Sequence, residues 1–333
     1  MKKNRHQGIQ VVVMGGGTGT FTVLSSLKHY VHGLTAVINM VDDGGSTGVL
    51  RDELGALPPG DVRQCLVALS RSSETMRELF NYRFPNGTFQ GHAFGNLFLT
   101  ALEKITGNFA DAVITASEIL HITGKVLPVT VDNVRLCVKR EDGKIIKGQK
   151  MMIKSNFVKG EKKDFFLEPK GRLNPEAKRA ILEADMIVLG PGNLHSSLIP
   201  LLLVQGMKEA LWATRAKKIF ITNLMTQSGQ TAEYGVTDFV DEIEKYAGEN
   251  VFDYVIYNNK KPAQRLIEQY LKEGEQFVSY DEAKFRKKKY HAIGESLVSS
   301  KAALQRPGDT VHRPLIRHDG QALSQLLMKL YFS

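Results

Sequence analysis

The run Gly15-Gly16-Gly17-Thr18-Gly19-Thr20 combines residue types suited to holding a phosphate. It follows an apolar stretch, Ile9 to Met14, and precedes a helix-like segment, Phe21 to Tyr30. A strand, a glycine turn and a helix N-terminus present unpaired N–H groups and the positive end of a helix dipole to anionic oxygens. Four glycines between Gly15 and Gly19 cost chain entropy unless something must come close to that backbone. Gly16, Gly17, Thr18, Gly19 and Thr20 are therefore candidate ligand contacts. Thr20 stands where the third glycine of a GxGxxG fingerprint belongs, and the Lys-Ser/Thr ending of a P-loop is missing, so an NAD-binding enzyme is only a lesser alternative.

A second strand, Thr35 to Met40, runs into Val41-Asp42-Asp43-Gly44-Gly45-Ser46-Thr47-Gly48. This is another backbone cradle with two carboxylates at its rim, and Asp42, Asp43, Gly44, Gly45 and Ser46 join the candidates. In Leu57-Pro58-Pro59-Gly60-Asp61-Val62-Arg63, Asp61 falls at the expected N-cap of a helix Val62 to Ser70. If that turn folds back on the sheet edge, Asp43 and Asp61 can share Mg²⁺, which takes a few carboxylates plus phosphate oxygens. Arg51 and Arg63 would then pair with phosphate.

Gly91-His92-Ala93-Phe94-Gly95-Asn96 opens a helix Leu97 to Ile105, with His92 and Asn96 placed for a phosphate or hydroxyl contact, or for a structural histidine and a cap. The strand from Met186 ends in Gly190-Pro191-Gly192-Asn193, repeating the glycine-turn device, and Gly190, Gly192 and Asn193 are candidates. The strand Lys218 to Thr222 leads into a run of small polar residues from Asn223 to Thr231, in which Asn223, Thr226 and Gln227 suit a base or sugar. Arg317, in Ile316-Arg317-His318-Asp319 before the last helix, offers a planar fork for two oxygens.

Positioning these turns requires a parallel sheet. Up to about Leu127, short apolar strands alternate with helices such as Asn108 to His121, the pattern of a sheet covered on both faces. Residues 129–168 read differently. Val134 to Val138 and Lys150 to Ile153 alternate about the turn Glu141-Asp142-Gly143-Lys144, which predicts an inserted antiparallel β section. Parallel strands resume at Met186 to Leu189, Ile219 to Thr222 and Tyr254 to Tyr257, and Gly320 to Tyr331 is a final helix. The expectation is one composite α/β domain over 1–333.

The net charge of +9, from 44 basic and 35 acidic residues, favours anionic ligands. No zinc spacing, RNP-like aromatic run or long basic helix points to nucleic acid. No apolar stretch is long enough for a membrane span, and the lead Met1 to His6 is too polar for a signal peptide, so a cytoplasmic location is expected. Cys65 and Cys137 lie in different segments and read as buried free thiols.

GGGTGT, VDDGGSTG, PPGDVRQCL, GHAFGNLF, ADMIVLGPGNLHSS and NLMTQSGQT, in this order across nearly the whole chain, resemble the YvcK-type gluconeogenesis-factor family. That family is related to CofD-type 2-phospho-L-lactate transferases. The resemblance implies a Rossmann-like three-layer α/β/α fold and a cytoplasmic bacterial regulator that binds UDP-N-acetylglucosamine or a related nucleotide diphosphate and supports growth and cell shape on gluconeogenic carbon. It leaves room for a homo-oligomer and for regulatory protein partners. The alternative it implies is a Mg²⁺-dependent phospholactate transferase, with Asp43 and Asp61 as counterparts of the metal-holding residues. Arg317 matches the family's C-terminal motif. Phe239 departs from it, standing where the family has a histidine, and a ligand role there is not expected.

Overall fold

A computed structural model describes residues 8–153, 155–300 and 315–333; the polar lead Met1 to His6 lies outside them. Among the described residues ten strands follow in chain order: β1 Gln10–Gly15, β2 Gly33–Ile38, β3 Lys125–Pro128, β4 Arg135–Arg140, β5 Ile145–Lys147, β6 Lys163–Glu168, β7 Met186–Leu189, β8 Lys217–Ile221, β9 Tyr254–Asn258 and β10 His291–Glu295. Seven of them form one parallel sheet in the order β10-β9-β8-β7-β1-β2-β3. Its centre is built from the most apolar segments: Val11 to Met14 of β1 and all of β7 are buried, as strands covered on both faces must be.

Six helices occupy the first half: α1 Gly17–Leu27, α2 Gly45–Leu54, α3 Gly60–Leu69, α4 Glu74–Asn81, α5 Phe94–Thr106 and α6 Phe109–Ile119. Helix α1 packs on α3 and on the C-terminal helix Gly320–Phe332, while the helix Pro175–Glu183 lies against β1 and β3. The chain leaves β1 for β2 and β3 on one side, then returns at β7 on the other. The crevice outside the carboxyl ends of β1 and β7 is thus the topological switch point, where doubly wound sheets bind ligands.

Between β3 and β7 stands the antiparallel section, a sheet in the order β5-β4-β6 with Cys137 facing Lys147 and Phe166. Glu141 to Lys144 make the predicted turn. Lys150 to Ile153, expected as a strand, belong instead to the short helix Gln149–Ile153. The reason is a tertiary contact: the Asp43 carboxylate accepts the Gln149 N–H at 3.0 Å, capping a helix where a ladder would otherwise continue. Strands β3, β5, β6 and β10 were not foreseen as elements. Cys65 and Cys137 are free and buried, as expected.

Candidate functional site

Helix α1 begins inside the glycine run, four residues earlier than the apolar pattern predicts, with Gly16 as N-cap and no side-chain cap of its own. The cap comes from far away. Gly17 N–H donates to Asp61 Oδ1 at 2.9 Å. Asp61 is not the N-cap of its own helix, since Pro59 holds that place and α3 starts at Gly60; its carboxylate serves the helix of the glycine turn instead.

The glycines are required, and mostly by the protein's own loops. A Cβ at Gly16 would lie 2.2 Å from Asp61 Oδ2, and one at Gly19 would lie 2.0 Å from the Pro191 carbonyl oxygen. Gly17 differs: its surroundings are open, and its φ of +69° favours glycine for conformation alone. The turn is therefore a junction of three segments, with the first-turn amides of Thr18 and Gly19 lacking helical acceptors and lining a cavity.

That cavity, about 470 Å³, sits at the switch point. Gly16, Gly17, Thr18, Gly19, Gly192, Asn193, Asn223, Thr226, Gln227 and Arg317 all line it. The loops after β7 and β8 are bonded into one wall: Asn223 accepts from Gly192 N–H at 3.2 Å and donates to Gly192 O at 2.8 Å, and Asn193 donates to Gln227 Oε1. Thr226 Oγ1 accepts from Gln276 N–H at 2.9 Å. Tyr270, Glu273, Glu275, Ile316 and His318 also line it. The sequence offers no signal for the two glutamates and Tyr270, which come from a helix and loop without a motif.

Several predicted residues stand elsewhere. Thr20 is fully buried and donates to Gly16 O at 3.2 Å, and Gly190 lies under it rather than in the cavity lining. The residues Asp42 to Ser46 do not line this cavity. They are wired to neighbours: Gly44 N–H donates to Asp42 Oδ1 at 3.0 Å, and Ser46 Oγ meets His92 Nδ1 at 3.0 Å and accepts from Asn96 Nδ2 at 3.3 Å. Gly45 takes a φ of +47°. Arg63 is buried and donates to Asn96 Oδ1 at 2.9 Å and Asn81 Oδ1 at 2.5 Å, bracing α3 against α4 and α5. Phe239 is fully buried, edge-to-face with Tyr234 at 5.6 Å, so a packing role replaces any polar one.

The electrostatics centre on Asp61. Burial raises its pKa to about 7, with the Asp42 charge adding to the rise and the Gly17 N–H and Arg63 opposing it. Burial also raises Asp42. The carboxylate acting on Asp61 is thus Asp42, whereas Asp43 clasps Gln149. Among the described residues no group of three or more His, Cys, Asp or Glu converges as a metal site. Mg²⁺ needs fewer, one or two carboxylates beside phosphate oxygens and water, and Asp42 is the carboxylate whose charge acts on Asp61.

A doubly wound parallel sheet with a glycine turn and a polar cavity at its switch point defines the class. The chain belongs to the CofD family, described as 2-phospho-L-lactate transferase CofD, whose model matches residues 11–298. It is 41% identical over 325 residues to a "Putative gluconeogenesis factor" of Thermoanaerobacterium thermosulfurigenes, covering 97% of each chain. It is 34% identical to the "Gluconeogenesis factor" of Bacillus subtilis, covering 96% of this chain and 98% of that one. The crystal structure of a UPF0052-family protein from Bacillus halodurans superposes with a TM-score of 0.88 at 35% identity, covering 98% and 99% of the two chains.

Proposed function

We propose that this chain is a cytoplasmic nucleotide-sugar-binding regulator, a gluconeogenesis factor that takes UDP-N-acetylglucosamine and supports growth and cell shape on gluconeogenic carbon. One observation supports it most: the switch-point cavity joins first-turn amides, which suit a diphosphate, to a wall of Asn193, Asn223, Gln227 and Arg317, which suit a sugar or base. The glycine turn and the Arg317 guanidinium would share the phosphate oxygens, and the amide side chains would orient what they carry. Thermal shift and isothermal titration with UDP-N-acetylglucosamine, GDP and NAD at equal concentration test the assignment. UDP-N-acetylglucosamine should stabilise the protein most, by mass action on the folded state. A clear win for GDP or NAD overturns it.

The Asp42–Asp61 pair favours a second reading, a phospho-group transferase of the CofD type. Mg²⁺ held there would offset charge on a transferring phosphate. The residues' own contribution is to place carboxylates beneath the turn and to hold α1 by the Gly17–Asp61 bond. Mg²⁺-dependent transfer of a phospholactyl group from its nucleotide diphosphate carrier to an acceptor hydroxyl, with the nucleoside monophosphate leaving, would favour this reading over the regulator.

A further inference from the structure

His318 lines the cavity and is buried. Its ring Nε2 stands 3.1 Å from the carbonyl oxygen of Thr222, at the carboxyl end of β8. A carbonyl can only accept, so the contact exists only if Nε2 carries the proton. Burial lowers the ring's pKa to about 4, which keeps it neutral under ordinary conditions. A neutral ring with its proton on Nε2 has a lone pair on Nδ1.

The backbone holds that ring still. Ser299 N–H donates to Arg317 O at 2.8 Å, Asp319 N–H donates to Leu297 O at 2.7 Å, and His318 bridges Val298 in antiparallel fashion. On the preceding residues, the Tyr270 hydroxyl accepts from Leu315 N–H at 2.8 Å and Ile316 N–H at 3.3 Å. Ile316 and Tyr270 pack with Leu224, the residue after Asn223. The segment carrying His318 is thus fastened to the loops that form the opposite wall.

We infer that His318 is a specificity residue of fixed tautomer, whose Nδ1 accepts a hydrogen bond from a hydroxyl of the ligand's sugar. The ligand's identity rests on the nucleotide-sugar reading; the state of the ring does not. The cavity then carries complementary polarity: amides and Arg317 donate to phosphate oxygens, and His318 receives from the neutral, hydroxyl-bearing part. A site built to accept a ligand O–H discriminates strongly against an analogue without it, because the buried acceptor is left unpaired.

The test has a ligand-free arm and a binding arm. Ring ¹⁵N correlation spectra of the full chain at neutral pH, assigned by comparison with His318→Leu, should show the Nε2–H tautomer; an Nδ1–H tautomer or a charged ring overturns the inference whatever the ligand is. In titrations, His318→Leu should weaken UDP-N-acetylglucosamine by about tenfold while leaving inorganic pyrophosphate within roughly twofold. His318→Gln, whose amide can donate to Thr222 and still offer an oxygen, should recover most of the loss. Unchanged affinity in His318→Leu, or an equal loss for pyrophosphate, refutes selection of the hydroxyl. If wild type binds GDP but not UDP-N-acetylglucosamine, the proposed ligand falls, and the same variants titrated with GDP decide the role of His318.

Discussion

Replacing Asp61 by Asn should make the protein more stable at alkaline pH than at acid pH relative to wild type. The side chain keeps its shape, and its carbonyl oxygen can still accept the Gly17 N–H, so the change isolates the charge. Asp61 has its pKa raised from 3.8 to about 7, mainly by burial and next by Asp42. A raised pKa contributes stability that is complete below the unfolded value and is lost as pH rises through the folded one. Each pH unit inside that window is worth ~1.4 kcal/mol. Between pH 5 and pH 8.5 wild type should therefore fall behind the variant by about 2–3 kcal/mol. For a chain of this size that is a change in the melting-temperature gap on the order of 2–5 °C. Thermal unfolding of both proteins at the two pH values, without divalent ions, measures it. A gap that does not move with pH refutes the reasoning, and Mg²⁺ should narrow it at pH 8.5 by neutralising the wild-type pair.

Arg317→Ala should weaken UDP-N-acetylglucosamine by about tenfold or more, with little effect on the unliganded melting temperature; titration calorimetry checks this, and equal affinities would remove the arginine from the site. Gly19→Ala should cost roughly 1–3 kcal/mol in urea unfolding, because its Cβ would press on the Pro191 carbonyl at 2.0 Å. His195 and His318 are held neutral by burial, at about 3 and about 4 against 6.5. Their contribution to stability is present above pH 6.5 and is lost as pH falls toward those values. His195→Gln should accordingly flatten the acid limb of a stability–pH curve.

The central strands were legible because apolar runs such as Met186 to Leu189 are bounded by glycine, and burial on both faces forces that composition. Edge strands such as β10 were not, since the exposed ends His291 and Glu295 and the half-buried residues between them carry no strong pattern. The cavity-lining glycines and asparagines could be named because each turn is local. Asp61 was readable as a capping residue but not as the cap of α1, because the bond spans 44 positions. Arg63 and Asn96 have the chemistry of ligand contacts and the position of braces; their burial and their bonds to each other, to Asn81 and to Ser46 distinguish the two. Tyr270, Glu273 and Glu275 reach the site through tertiary packing alone.

The space beside Gly16 and Gly19 is filled by Asp61 and Pro191, so the glycine turn is braced by its own neighbours before any ligand arrives. A turn already in its working shape leaves little chain ordering to be done at the moment of capture. Association rates should then be nearly the same for different nucleotide diphosphates, and preference among them should appear as residence time. If the chain is the nucleotide-sugar regulator proposed above, that timing sets how long its signal outlasts a drop in supply.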